Sequence, residues 1–369
     1  MQAVSTDLQI LLLNEWAETS GKPLIIAGPC SAESEAQLLK TAEEIATIDA
    51  VGFFRAGIWK PRTRPGEFEG AGEEGLKWLQ KVKSTYGLKT TIEVAEPWHV
   101  EMALKYGIDI LWIGARTVVN PFSVQAIAAA LKGKDIPVMV KNPINPDLKL
   151  WLGAIERINS AGINKIIAVH RGFHYFEKSP YRNAPMWEIP IELKRLVPKL
   201  PILVDPSHIS GRPELLQTIS QRALDLEMDG LMIESHFNPS IAVTDAAQQI
   251  TPDDLGKLLS DLIIREKTGD IKFQHKLEEL RTEVDKIDGE LLQILARRLQ
   301  IIDEIGEYKK ENRITILQMK RWAGIINDRL SQGTHLGLDS VFLTRLLNLI
   351  HEESISRQTE IYNKNKSKK

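Results

Sequence analysis

The chain has only one cysteine in 369 residues, Cys30, so no internal disulfide is possible and a reducing, cytoplasmic setting is expected. It also lacks an excess of charge of either sign: 47 basic against 49 acidic side chains give a net charge of −2. That balance speaks against a nucleic-acid footprint or a polybasic membrane patch, so neither partner is expected. No apolar run approaches the ~20 residues of a bilayer span. The leucine-rich start (Leu8, Ile10, Leu13) has Asp7 against it, no basic flank and no small-residue cleavage site, and does not read as a signal peptide. Proline is frequent in the first two thirds and absent beyond residue 272, which marks a change of architecture. Hydrophobic content of 43% and charged content of 26% are ordinary for a soluble globular protein, and the length favours two domains.

Eight short apolar runs punctuate the first part. Residues 24–27 lead to Cys30, 51–54 to Arg55, 91–95 to Glu96 and 110–114 to Arg116. Residues 138–140 lead to Lys141, 166–169 to His170 and Arg171, 202–204 to Asp205 and His208, and 231–233 to Glu234. Helix-length stretches separate them. Continuous Val/Ile/Leu runs alternating with helices are the pattern of buried parallel strands. Eight such units predict an α/β fold, a (β/α)₈ TIM barrel, whose active site lies at the strand C-terminal ends. The reactive side chains fall at those ends.

Two constellations emerge. Cys30, His208, Glu234 and Asp245 offer a thiolate, an imidazole and two carboxylates, a donor set for Mn²⁺, Fe²⁺ or Zn²⁺. Taken singly, each also fits a structural role, since a lone Cys is usually a small buried hydrophobe and a loop Asp often a cap. The second constellation is cationic: Arg55, Lys60, Arg62, Arg116, Lys141 and Arg171 converge on one mouth if the barrel closes. Cations so crowded would repel one another unless anions bind there, so the expected substrates are small, multiply anionic and phosphorylated.

The runs Gly28-Pro29-Cys30-Ser31-Ala32-Glu33-Ser34, Arg55-Ala56-Gly57-Ile58-Trp59-Lys60-Pro61-Arg62-Thr63, Ile113-Gly114-Ala115-Arg116 and Leu203-Val204-Asp205-Pro206-Ser207-His208 resemble the 3-deoxy-D-arabino-heptulosonate-7-phosphate (DAHP) synthases, in the branch close to the octulosonate-phosphate synthases. The resemblance covers about residues 23–264. It implies condensation of phosphoenolpyruvate with erythrose-4-phosphate, the first step of aromatic biosynthesis. It also implies metal ligation by Cys30, His208, Glu234 and Asp245, with Mn²⁺ expected and Fe²⁺, Co²⁺ or Zn²⁺ as alternatives. Phosphoenolpyruvate would be held by Arg55, Lys60, Arg116, Lys141 and Arg171, and erythrose phosphate by the motif containing Lys60, Arg62 and Thr63. Lys60 and His208 are the residues expected at the reacting atoms. Arg64 after Thr63, and Asn142-Pro143 after Lys141, depart from the family pattern; Pro61-Arg62 favours the heptulosonate over the octulosonate enzyme.

Residues 265–272 read as a polar linker, giving domains at 1–264 and 273–369. Beyond it three helices are predicted, near 273–310, 315–330 and 340–362, with a loop at 331–339. Leu277, Leu280, Val284, Ile287, Leu291 and Ile294 form a heptad-like stripe, the seam of helix against helix. Arg298 falls on that apolar face, Lys309 within about 20° of the same direction, and Arg281 about 100° away, so one helix offers cations toward two places. An arginine snorkelling from a bundle edge gives the same spacing.

Leu280-Arg281, Val284-Asp285-Lys286-Ile287-Asp288, Leu295-Ala296-Arg297-Arg298, Gly306, Lys309, Arg321, Ser354 and Gln358 resemble the all-helical chorismate mutases over residues 277–358. The resemblance implies an intertwined homodimer, or a higher homo-oligomer, built through this domain. Arg298, Lys309, Arg321, Ser354 and Gln358 would form one pocket for chorismate and prephenate, with Arg281 reaching the pocket of a partner. Lys309 and Gln358 would be catalytic, donating to the ether oxygen. The family's usual carboxylates on the second helix are replaced by Gln318 and Trp322. The overall expectation is a bifunctional shikimate-pathway enzyme whose synthase is feedback-inhibited by prephenate or chorismate through the helical domain. The alternative is a synthase whose helical domain serves mainly for dimerisation and ligand sensing.

Overall fold

The computed structural model describes residues 8–19, 21–60, 66–176, 178–266 and 269–364, without the side chains of residues 319–321 and 323. Two compact units succeed one another, Met1–Lys267 and Thr268–Lys369.

In the first unit the elements run β1 (Leu24–Gly28), α1 (Glu35–Ile45), β2 (Val51–Arg55), α2 (Glu73–Tyr86), β3 (Lys89–Val94), α3 (Pro97–Lys105), β4 (Ile110–Ile113), α4 (Ala115–Val118) and α5 (Pro121–Leu131). They continue with β5 (Val138–Lys141), α6 (Leu148–Ser160), β6 (Ile166–His170), α7 (Glu188–Leu196), β7 (Ile202–Val204), α8 (Pro206–Ser210), α9 (Leu216–Asp225), β8 (Gly230–Glu234) and α10 (Pro252–Asp261). Each strand pairs in parallel with the next, and β1 pairs with β8 to close the barrel. That is the predicted (β/α)₈ architecture.

Alternation along each strand divides the apolar residues between two cores. Leu24, Ile26, Phe53, Trp112, Met139, Val169, Leu203 and Met232 fill the barrel interior. Ile25, Ala27, Phe54, Ile113, Val140 and Ile233 face the surrounding helices. Each fully buried Leu, Ile or Phe contributes roughly 1.5–3 kcal/mol, so these layers hold the frame on which the strand ends sit. Leu13 and Trp16 pack against the interior core. This gives the leucine-rich start a structural use inside the fold.

The third strand differs from the sequence reading. β3 ends at Val94, so the side chain it sends toward the site is Glu93, while Glu96 is the N-cap of α3. Ala95 falls outside the strand because its N–H is taken by His99 Nδ1 at 3.1 Å and Pro97 already opens α3.

The second unit consists of α11 (Ile271–Glu311), α12 (Met319–His335) and α13 (Ser340–Asn363). Asp270 and Asp339 cap α11 and α13, each accepting a backbone N–H three residues on, at 2.8 Å. Gly306 lets α13 close on α11, since a Cβ there would meet the Ile361 side chain at 2.9 Å. The helix boundaries shift from the expected ones. The linker is shorter because α11 begins at Ile271, inside it. α12 starts later because Gln318 is extended, and runs on through Gly333, which packs on Leu343, to His335; Gly337, at φ +82°, turns the chain before α13. No described helix is long and apolar enough to cross a membrane.

Candidate active sites

A cavity of about 510 Å³ opens at the strand C-terminal ends, lined by Lys60, Glu93, Arg116, Lys141, Arg171, Arg182, His208 and Asp245 among others. Lys141 ends β5 and Glu234 ends β8; Arg116 sits in the first turn of α4, directly beyond β4. Gly114 leaves room for the Glu93 carboxylate, which a Cβ there would push aside. Arg62 and Thr63 lie outside the described residues.

Asp205 organises one side of the mouth. Its Oδ2 lies 2.7 Å from Lys141 Nζ and 2.8 Å from His208 Nδ1, and its Oδ1 accepts the His208 backbone N–H at 3.0 Å. Burial opposes ionisation, but His208 and Lys141 hold the Asp205 carboxyl well below the usual carboxylate range. His208 Nε2 is thereby turned toward Glu234, 3.8 Å from Oε1.

Glu234 is fully buried and pairs with Arg55 Nη2 at 3.1 Å, while its Oε2 accepts from Gln248 Nε2 at 2.6 Å. Arg55 lies beneath the cavity and stacks over Trp112 at 5.1 Å. Its Nε and Nη1 are buried with no hydrogen-bond partner among the described residues. Burial brings the Arg171 guanidinium down to about 10, with Arg182 and Arg116 adding to the effect. Arg171 stays cationic at neutral pH in surroundings that favour a bound anion.

Cys30 Sγ, a Glu234 oxygen and an Asp245 oxygen all lie within 4.8 Å of one another. Cys30 Sγ is 3.3 Å from Asp245 Oδ2 and 3.1 Å from Lys60 Nζ. Burial first, and then the Glu234 and Asp245 charges, push the Cys30 thiol up to about 12 against the opposing pull of Lys60 and Arg55. His208 is not part of that trio but adjoins it through Glu234. The S/N/O donor set therefore fits a divalent ion.

Several cavity residues escaped the sequence reading. Arg182 pairs with Asp245 at 2.9 Å and also binds Gln248. It lies far from any strand end, on the loop between β6 and α7, so strand-end logic could not find it. Asn183 accepts from Arg171 Nη1 at 2.8 Å, and Asn142 accepts the Arg171 backbone N–H at 2.7 Å while donating to Gly172. Both position Arg171; only Asn142, next to Lys141, carried a sequence signal.

In the helical unit a cavity of about 170 Å³ brings together Arg298, Lys309, Gln318, Trp322, His351, Ser354 and Gln358. Arg298 Nη1 donates to Ser354 Oγ at 2.8 Å, and Lys309 Nζ to the Ile316 carbonyl at 2.6 Å. Gln358 Oε1 is buried without a partner among the described residues. Trp322 stacks on His351, ring centroids 3.5 Å apart. Arg281 is exposed and is not among the residues lining this cavity, and the side chain of Arg321 lies outside the described residues.

Residues 12–270 match the DAHP synthetase I family. The chain belongs to the DAHP synthetase I family. Residues 280–359 match chorismate mutase type II, so the three helices form a domain of that kind. Phospho-2-dehydro-3-deoxyheptonate aldolase of Thermotoga maritima is 34% identical over 226 residues, 61% of this chain and 64% of that protein. The chain thus spans just under two thirds of that relative's length. The 2-dehydro-3-deoxyphosphooctonate aldolase of Geobacter sp. strain M21 is 30% identical over 263 residues, 66% of this chain and 92% of that one. A crystal structure of the Thermotoga maritima DAHP synthase covers 70% of this chain and 76% of its own at 30% identity, with a TM-score of 0.61. DAHP synthases are generally dependent on a divalent metal, in keeping with the donor set around Cys30.

Proposed function

We propose that the barrel condenses phosphoenolpyruvate with erythrose-4-phosphate to DAHP and phosphate, and that the helical unit rearranges chorismate to prephenate. The observation that carries the first part is one mouth holding the Cys30–Glu234–Asp245 trio beside Lys60, Arg116, Lys141 and Arg171. Arg116, Lys141 and Arg171 anchor the phosphate and carboxylate of phosphoenolpyruvate, with Arg55 beneath them, and the Lys60–Arg62–Thr63 motif receives the sugar phosphate. Cys30, His208, Glu234 and Asp245 would hold a divalent ion, Mn²⁺ first and Fe²⁺, Co²⁺ or Zn²⁺ as alternatives, which when bound polarises the sugar aldehyde. C3 of phosphoenolpyruvate forms the new bond to the aldehyde carbon, and Lys60 stands to give the aldehyde oxygen its proton. Water adds through oxygen to C2 and loses a proton; the C2–O bond to phosphate then breaks as the new hydroxyl gives its remaining proton to the departing phosphate, leaving the C2 ketone. The fixed cations compensate the substrates' charge in a preorganised site.

In the helical unit Arg298 holds a carboxylate, and Lys309 and Gln358 donate to the ether oxygen as its bond breaks. Arg281 of the partner subunit completes the pocket in a homodimer or larger homo-oligomer. Prephenate or chorismate bound there inhibits the synthase by favouring one of two arrangements of the protein. The working site is the cytoplasm. The stack of Trp322 on His351, where a carboxylate acceptor would serve the substrate hydroxyl, favours a second reading, a helical unit for dimerisation and ligand sensing. Purified full-length protein given chorismate alone separates the two. Prephenate formation supports the bifunctional enzyme; binding without turnover supports the sensor.

A further inference from the structure

Trp59 immediately precedes Lys60, four residues after β2 ends at Arg55, so no strand fixes it. Its indole lies flat on the imidazole of His99, centroids 3.9 Å apart and planes 8° from parallel. Trp98 closes the group edge-on, 4.1 Å from His99 and 5.3 Å from Trp59. His99 is 5% exposed, and its Nδ1 accepts the Ala95 N–H at 3.1 Å. The corner between β3 and α3 therefore sets the plane of the imidazole, and the imidazole sets the plane of the indole. Burial pushes His99 down to about 4, so the ring is neutral at physiological pH.

The backbone around Lys60 is held from the other side. Lys60 N–H donates to the Glu69 carbonyl at 2.8 Å, and Gly72 N–H to the Ile58 carbonyl at 3.2 Å. Gly70, at φ +105°, is needed for this approach because a Cβ would overlap the Ile58 carbonyl. Lys60 Nζ ends 3.1 Å from both the carbonyl and the sulfur of Cys30. The ring stack is thus the side-chain tie between the barrel wall and the residue that points Lys60 into the cavity.

We propose that Trp59 and His99 are positioning residues for Lys60: their stack fixes the Trp59–Lys60 backbone and so the place of the ammonium beside Cys30. The proposal rests on the condensation reading above; wild-type protein without condensation activity would count against that reading, whereas the variants below test the stack. An aromatic cluster that merely fills space would change stability and activity together. A positioning cluster changes turnover alone.

The test uses full-length protein with Mn²⁺, steady-state kinetics and thermal unfolding. His99→Asn keeps an acceptor for Ala95 but loses the ring; His99→Phe keeps a flat ring but loses the acceptor. His99→Asn is expected to lower kcat about 10- to 100-fold, the scale of a misplaced reacting group. Its KM for phosphoenolpyruvate should rise by far less than kcat falls, since Arg116, Lys141 and Arg171 are untouched and Lys60 alone among the expected holders moves, and its Tm should stay close to the wild type. His99→Phe, which keeps the stack but loses its Ala95 anchor, should lose clearly less turnover than His99→Asn, and Trp59→Leu should match His99→Asn. Wild-type kcat in His99→Asn, or equal loss in His99→Phe and His99→Asn, overturns the proposal. If neither His99 variant folds, Trp59→Tyr against Trp59→Leu makes the same comparison.

Discussion

Arg182 Nη1 lies 2.9 Å from Asp245 Oδ1, tying a loop arginine to a carboxylate that also stands 3.3 Å from Cys30 Sγ. Asp245 has a left-handed backbone, φ +47°, unusual for a residue other than glycine, and sits between the two. Burial opposes its ionisation, but Arg182 and His208 hold it well below the usual carboxylate range. The arginine therefore orients a carboxylate at the proposed metal site.

Arg182→Ala should weaken Mn²⁺ binding by about 10- to 100-fold, the scale on which outer partners of metal ligands act. Calorimetric titration of the metal-free protein with Mn²⁺ checks this; an affinity equal to or tighter than the wild type's would show that Arg182 does not orient Asp245.

The fold was legible because the eight strands are buried on both faces and read as unbroken apolar runs between turn signals. The strand-end residues Lys141, Glu234 and Arg55 were legible as the charged residues that close such runs, although a strand end can equally face the helices, as His170 does beside Trp151 and Trp187. Glu93 was hidden inside its strand, and Arg182 and Asn183 on a loop whose path no periodicity announces. In the helical unit spacing gave the direction of Arg298 and Lys309, but glycines misled: Gly333 is absorbed into a helix by packing on Leu343.

Along the first half of α11 Leu280, Val284, Ile287, Leu291 and Ile294 stay exposed, Ile287 at 63%, an apolar stripe that no described residue of this chain covers. A second copy of the helix is the expected cover. Ile287→Asp should turn the protein monomeric in analytical ultracentrifugation and abolish chorismate turnover. Mixed Arg281→Ala and Gln358→Ala chains should recover part of that turnover through one intact pocket per heterodimer. A fully active monomer would contradict the shared pocket.

Burial pushes the His170 imidazole down to about 3 from 6.5. The unfolded chain then binds the proton first as pH falls. Stability from the neutral ring is complete above about pH 6.5 and declines by at most about 1.4 kcal/mol per pH unit down to about pH 3. In urea unfolding, the wild type should lose about 1 kcal/mol more than His170→Phe between pH 7 and pH 5.5. Equal losses would place the acid sensitivity on other groups.

Prephenate should inhibit condensation by wild-type protein, and Arg298→Ala should remove most of that inhibition while leaving the uninhibited rate within about twofold, because a ligand shifts an equilibrium only by its differential affinity. Undiminished inhibition in Arg298→Ala would put the sensor in the barrel mouth instead.

The central claim is a metal-dependent condensation at the barrel mouth, and phosphate release from phosphoenolpyruvate measures it directly. With wild-type protein and Mn²⁺, release should require erythrose-4-phosphate, run much faster than with arabinose-5-phosphate, stop with chelator and return with added metal. In Cys30→Ala it should be lost while chorismate turnover persists. Release that is undiminished in Cys30→Ala under chelation, or that prefers arabinose-5-phosphate, would contradict the account.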